Sequence, residues 1–366
     1  MSASVDPAFW RGRRVLVTGH TGFKGAWAWL WLASMGAELF GYSRPPPAES
    51  SLYKLAGLGG EGESLFGDLG DVDTLSAFMA RARPEIVIHL AAQAFVRRAH
   101  RDPVDTFRTN VQGTVNLLDA LKGAPGLRAV LVVTTDKVYL NKGGHRPFKE
   151  SDPLGGSEPY SASKVGQEMA AQAYGRSYFE PAGVWLATAR GGNVIGGGDF
   201  GEDRLVPDIV RAARDGASVA IRNPDATRPW QHVLDCLSGY LVYVQALMAD
   251  PSLPRAVNIG PSAPAGRTVA ELAERMCRRL DAARAWSRDP EAGPPEAPSL
   301  ALDVSLAADA LGWSDRLSSD DTIDATADWY RQFLAGADMR RASLEALHRF
   351  LAAKPIHEQA EGTIRD

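Results

Sequence analysis

The sequence predicts an α/β protein built on a doubly wound parallel sheet, with a smaller C-terminal α/β lobe. Three observations carry that reading. Short apolar runs of strand length alternate with longer stretches of helical period through about the first 190 residues, the pattern of parallel strands joined by crossover helices. The first such run opens into Gly19-His20-Thr21-Gly22-Phe23-Lys24-Gly25 and a long apolar helical stretch. That order of strand, glycine turn and helix aims backbone N–H groups at an anion. Beyond Arg190 the alternation loosens, and single basic residues stand among polar and aromatic neighbours, as in a separate lobe.

Composition narrows the function classes. With 366 residues, 45% hydrophobic and 23% charged, the chain is an ordinary globular one, long enough for two units. The 44 acidic and 40 basic residues give a formal net charge of -4, which argues against a nucleic-acid-binding surface. Cys236 and Cys277 stand far apart without metal-ligand spacing, so neither a disulfide framework nor a metal site is expected. No basic segment precedes an apolar run at the N-terminus, and no uninterrupted apolar stretch approaches about 18 residues. The expectation is a cytoplasmic protein with no membrane contact.

Arg14 to Thr18 reads as a short buried strand. Gly19 lets the chain turn, Gly22 permits close approach of phosphates and Gly25 lets the helix pack on the strand. Thr21, Phe23 and Lys24 complete this G-x-x-G-x-x-G loop. It lacks the Gly-Lys-Ser/Thr end of a nucleoside-triphosphate loop, so the expected ligand is a dinucleotide. Trp27, Trp29 and Trp31 follow as packing residues. Glu38 to Ser43 is the second strand. An acidic residue at its end would select NAD, whereas Arg44 could accommodate the 2′-phosphate of NADP, or stand solvated beside Pro45-Pro46-Pro47. Ser64 to Leu69 is the third strand and ends in Gly67-Asp68-Leu69, with Asp68 placed to receive an adenine amino group.

Ile86 to Leu90 is the fourth strand, with His89 as a packed core histidine. Ala91, Ala92 and Gln93 follow and leave room for a cofactor. Thr106 to Leu121 has helical spacing and carries Asn110 and Asn116. Ala129 to Thr134 and Gly183 to Arg190 are the fifth and sixth strands. In such a sheet, ligands lie beyond the carboxyl ends of the strands, where Thr134, Thr135, Asp136 and Lys137 stand.

Downstream, Pro159-Tyr160-Ser161-Ala162-Ser163-Lys164 places a phenol and an ammonium four residues apart, on one face of a helix. A cation there favours the phenolate. Moving a tyrosine from roughly 10 to near 7 corresponds to roughly 4 kcal/mol, and the phenolate can then take a proton from a sugar hydroxyl. In the second lobe, Arg204, Arg222 and Arg228 are candidates for a pyrophosphate, because a guanidinium meets two phosphate oxygens at once. Val233 to Ala249 and Thr268 to Leu280 read as helices, with Ala256 to Ile259 a strand between them. Asp289 to Pro298 reads as a proline-rich surface loop. Met339 to Ala352 reads as an amphipathic helix with Leu344, Leu347 and Leu351 on one face, and the last dozen residues as mobile.

The glycine loop, Gly67-Asp68-Leu69, Ala91-Ala92-Gln93 and Tyr160-x-x-x-Lys164, in this order, resemble the extended short-chain dehydrogenase/reductase superfamily, in its nucleotide-sugar branch. More narrowly, Gly19 to Gly25, Thr135-Asp136-Lys137, Arg190 to Asp199 and Arg228-Pro229-Trp230-Gln231-His232-Val233 resemble the CDP-glucose 4,6-dehydratases, from about Trp10 to Leu334. The resemblance implies a Rossmann-like dinucleotide-binding domain over 10–190, and a mainly nucleotide-sugar-binding lobe over 191–334 from which some segments return to the first domain. A C-terminal helix and tail would occupy 335–366. It implies NAD as cofactor, with Asn110 and Thr134 among its contacts, and CDP-glucose as substrate, with Asn193, Arg204, Leu205, Arg222, Arg228 and His232 as its contacts.

The implied roles are Tyr160 as base at the 4-hydroxyl, Lys164 as its support and Thr135 as a holder of the same hydroxyl, while a hydride leaves C4 for the nicotinamide. Asp136 would then protonate the departing 6-hydroxyl, and the hydride would return at C6. Lys137 stands where the dTDP-glucose dehydratases carry a glutamate, either as the C5 base or as a charged stabiliser of the enolate. The helices Thr106 to Leu121 and Tyr160 to Phe179 imply a homodimer, or a dimer of dimers. Two other readings remain open: a 4-epimerase or reductase, which needs no acid at Asp136, and a non-catalytic dinucleotide sensor.

Overall fold

The structure, a computed structural model, describes residues 3–47, 50–143, 146–262, 266–282, 286–289 and 300–362. The central sheet takes β1 (Arg14–Thr18), β2 (Glu38–Ser43), β3 (Glu63–Phe66), β4 (Ile86–His89), β5 (Ala129–Thr135) and β6 (Trp185–Gly191). After β6 come four two-residue strands, β7 (Val194–Ile195), β8 (Ala220–Ile221), β9 (Thr227–Arg228) and β10 (Gln231–His232), and then β11 (Ala256–Ile259) returns to the sheet. The order is β11-β6-β5-β4-β1-β2-β3, and every pairing in it is parallel. All seven residues of β5 are buried, as a strand covered on both faces by crossover helices requires.

The chain reverses its winding direction between β1 and β4, and the cleft opens there, past the carboxyl ends of the strands. Two apolar clusters fill the space on either side of the sheet. One gathers the three tryptophans of helix Phe23–Ser34 with helix Val233–Ala249; the other gathers Leu75, Phe78, Leu117 and Leu118.

Several elements differ from the sequence reading for identifiable reasons. The third strand stops at Phe66, because Asp68 turns the chain by accepting the Gly70 N–H at 2.8 Å. The helix expected from Thr106 begins at Pro103, where Asp102 caps the Asp105 N–H at 3.0 Å and proline takes the first turn. It then passes through a π turn over Arg108–Gln112 before continuing as Gly113–Ala120. Helix Pro159–Tyr174 opens with a capping box between Glu158 and Ser161 and closes in a second π turn, Gly175–Phe179.

The second lobe combines helices Leu205–Asp215, Val269–Arg279 and Ser319–Leu334 with three pairs of short strands. These join β10 to β7, β12 (Arg267–Thr268) to β9, and β13 (Ser287–Arg288) to β8. The proline-rich loop read over Asp289 to Pro298 lies, after Asp289, outside the described residues. Helix Met339–Ala352 is present, but its buried face is Met339, Ala342, Ser343, Leu347 and Phe350, with Leu351 exposed. The tail read as mobile carries a helix over Ile356–Gly362. No helix among the described residues is long and apolar enough to cross a membrane.

Candidate active site

A cleft of about 890 Å³ runs between the sheet's carboxyl edge and the second lobe. Gly19, Thr21, Gly22, Phe23, Lys24 and Gly25 form one wall, with Ala92 and Thr134 beside them. Thr135, Asp136, Lys137, Tyr160 and Lys164 stand together in the middle, and Asn193, Arg204, Leu205, Arg222 and Arg228 form the far wall.

The glycine loop fits a pyrophosphate. Gly19 adopts φ +73, open to glycine without strain, and a Cβ on Gly25 would fall 2.0 Å from the Gly19 carbonyl oxygen. Helix Phe23–Ser34 starts at Gly22 with no side-chain cap, so its first-turn N–H groups face the cleft without a side-chain oxygen in the way. At the far wall, the Asn193 side-chain nitrogen is buried without a hydrogen-bond partner, as expected of a donor kept for a ligand.

Burial pushes the Tyr160 phenol up to about 12; the Thr135 hydroxyl and the Arg204 charge work against it, and the Asp136 charge with it. The lowering expected from the Tyr160–Lys164 spacing is therefore not delivered by the lysine within the protein alone. The Lys164 ammonium is buried and donates to the Val133 carbonyl at 3.1 Å and to Gln167 Oε1 at 2.7 Å. Burial and then the Lys24 charge lower Lys164 to about 7, against a smaller opposing pull from Glu168. Asp136 is 2% exposed, and its Oδ1 accepts the Thr135 hydroxyl at 2.8 Å. Lys137, half-buried, follows in a short 3₁₀ turn whose backbone N–H reaches Thr135 Oγ1 at 3.4 Å.

Other residues picked out from the sequence stand away from the cleft lining. Gln93 and Asn110 spend their side chains on scaffolding: Asn110 accepts the Gln93 N–H at 2.8 Å and donates to Ser163 Oγ at 2.9 Å, and Gln93 donates to Thr106 at 2.9 Å. Leu69 packs against Gly113, and Ala91 against Gly19. Arg44 and Asp68 pair with each other beyond the ends of β2 and β3. His232 is buried and caps helix Val233–Ala249 by accepting the Leu234 N–H at 3.2 Å; burial lowers it to about 4.

The structure also adds residues that the sequence reading passed over. Arg98 and Arg101 line the cleft from helix Val96–Arg101. The Arg204 guanidinium lies 4.9 Å over the Phe95 ring and meets Asp199 at 2.7 Å. Tyr240 reaches up from helix Val233–Ala249 to accept from Lys24 Nζ at 3.4 Å. Glu168 was legible as the next i+4 residue after Tyr160 and Lys164; Tyr240, 216 residues from its partner, had no local signal.

Residues 15–260 match the NAD dependent epimerase/dehydratase family. The chain is 41% identical over 355 residues to a CDP-glucose 4,6-dehydratase of Salmonella typhimurium, covering 95% of this chain and 99% of that protein. Among solved structures, an NAD dependent NDP-hexosamine 5,6-dehydratase aligns at 25% identity with a TM-score of 0.71, over 87% of this chain and 97% of the other. A UDP-glucose 4-epimerase of Thermotoga maritima shares the fold, with a TM-score of 0.77 at 22% identity, over 87% of this chain and 99% of its own.

Proposed function

The chain belongs to the NAD dependent epimerase/dehydratase family, and on that premise we propose that it converts CDP-glucose to CDP-4-keto-6-deoxyglucose. The observation that carries this reading is that Thr135, Asp136 and Lys137 line the same cleft as Tyr160 and Lys164. Oxidation at C4 alone calls for the phenol and its lysine. An acid and a base beside them are what elimination of water across C5 and C6 adds.

The proposed cofactor is NAD, bound with its pyrophosphate against the Gly19–Gly25 loop. When bound, it supplies a reversible hydride acceptor, so that the sugar is oxidised at C4 and reduced at C6 with no net redox change. Tyr160 removes the proton from the 4-hydroxyl, which Thr135 holds in place. Lys164 supplies positive charge beneath that phenol. Once C4 is a ketone, Lys137 takes the acidified C5 proton, and Asp136 protonates the 6-hydroxyl as water departs. Arg204, Arg222 and Arg228 meet the substrate pyrophosphate, with Asn193 and Leu205 also at the nucleotide sugar. A homodimer belongs to the same proposal, because Val104, Phe107, Met169 and Tyr178 are exposed on the helices and π turn around 103–112 and 159–179.

The test is incubation with NAD and, separately, CDP-glucose, dTDP-glucose or UDP-glucose, following the alkaline absorbance of a 4-keto-6-deoxy sugar. Product from CDP-glucose in preference to the others is the expected result. A C4 epimer without keto product would replace the reading with an epimerase.

A further inference from the structure

Thr134 and Tyr139, which bracket Thr135, Asp136 and Lys137, are both tied to one buried ion pair. Arg190 Nη2 meets Glu168 Oε2 at 2.9 Å, and Arg190 Nε meets Glu168 Oε1 at 3.1 Å. The two residues are 2% and 0% exposed. On the carboxylate side, Glu168 Oε1 accepts the Thr134 hydroxyl at 2.6 Å, and Oε2 accepts the Thr188 hydroxyl at 2.9 Å. On the guanidinium side, Arg190 Nη1 donates to the Tyr139 hydroxyl at 2.9 Å, which in turn donates to Asn258 Oδ1 at 2.6 Å. Asn258 is held by the carbonyls of Phe148 at 2.9 Å and Asp303 at 3.0 Å.

Neither member of the pair, nor Tyr139, lines the cleft. An ion pair taken wholly out of water is a poor source of net stability, and its best-attested use is to specify one arrangement over others. The arrangement specified here is that of helix Pro159–Tyr174 against the end of β5. Tyr160, Lys164 and Glu168 lie at successive i+4 positions of that helix, so the residue that binds Thr134 shares a rigid rod with the phenol and its lysine.

We propose that Glu168 and Arg190 are positioning residues that clamp the Thr135-Asp136-Lys137 segment at both ends and so hold the acid and base of the elimination in register with Tyr160. The proposal rests on the dehydratase reading for its chemistry, but not for its geometry. Removing either of the charged pair would leave the other buried and alone, so the informative variants delete one hydroxyl arm each: Thr134→Val and Tyr139→Phe.

The experiment measures kcat and KM for CDP-glucose with NAD-loaded enzyme, and amide hydrogen exchange over 136–139, in both variants. The expected result is a fall in kcat of about tenfold to a hundredfold, with KM within about twofold, as for misplacement of groups that act only on the bound sugar. Amides of 136–139 should exchange faster while those of β5, Ala129–Thr135, keep their protection. Wild-type kcat in both variants would overturn the clamp, and so would a fall in kcat with unchanged exchange. If the parent protein makes no product from CDP-glucose, the dehydratase reading fails; the exchange comparison then decides the clamp alone, with unchanged exchange overturning it.

Discussion

Arg44 and Asp68, read from the sequence as separate cofactor contacts, are each other's partners: the guanidinium donates to Asp68 Oδ2 from Nη2 at 2.7 Å and from Nε at 3.0 Å. Although burial raises the Asp68 carboxyl, the Gly70 N–H and the Arg44 guanidinium hold it below its usual range. The cation that would welcome a 2′-phosphate is thus already engaged, and NAD should be preferred over NADP. Asp68→Asn frees it. Exposed pairs of this kind are worth about 0.2–1 kcal/mol, so the NADP to NAD affinity ratio should rise up to about fivefold in the variant. Tryptophan quenching titrations with the two nucleotides measure it, and an unchanged ratio would remove Arg44 from the 2′ position.

Tyr160→Phe deletes the proposed base while keeping the ring in its buried seat. Turnover should fall about a hundredfold to ten-thousandfold, with thermal stability close to that of the parent. Retention of more than a tenth of the activity would require another base at the 4-hydroxyl.

Lys137→Ala separates the two halves of the proposed reaction. In deuterated water, an enzyme with a working C5 base places deuterium at C5 of the product. The variant should lose turnover about a hundredfold or more, because proton transfer at C5 becomes limiting. Unimpaired turnover with normal labelling would assign the base elsewhere.

His89 sits between the hydroxyls of Thr18, 2.6 Å from Nδ1, and Thr114, 2.9 Å from Nε2. Burial, and then the Lys164 charge, lower it to about 3. Between its ordinary value near 6.5 and about 3, the unfolded chain binds a proton that the folded chain refuses, so stability falls as pH falls through that window. At pH 4.5 the loss from this residue is roughly 3 kcal/mol. His89→Gln should be less stable than the parent at pH 7, and the gap in urea midpoint should narrow by pH 4.5. Parallel pH dependence in the two proteins would contradict this assignment.

Val104 and Phe107 project from the first turns of helix Pro103–Phe107 into solvent, 77% and 41% exposed. Phe107→Glu should shift the protein toward monomer in sedimentation velocity without loss of fold, because a carboxylate cannot be buried unpaired across a two-fold interface. An unchanged sedimentation coefficient would place any interface elsewhere.

Much of the site was legible because its chemistry is local. The glycine loop, the Thr134–Lys137 segment and the Tyr160–Lys164 pair each lie within seven residues, and a parallel sheet gathers strand ends at one edge. The arginines of the second lobe were legible by residue type. For Gln93 and Asn110 the residue type left the partner undetermined, because an amide reads the same from sequence whether it meets a ligand or pins the loop after β4 to the Tyr160 helix, as these side chains do.

The sequence by itself determined the strand order's raw material, the glycine loop and the groups proposed to react, because periodicity, turn residues and i+4 spacing act over a few residues. Tertiary structure alone decided which charges meet and which are buried. Arg44 met Asp68, Arg190 met Glu168, and burial, with the Lys24 charge added to it, lowered Lys164 to about 7. Those pairings join residues 22 to 140 positions apart, and their strength depends on burial, which only the packed sheet and its covering helices create.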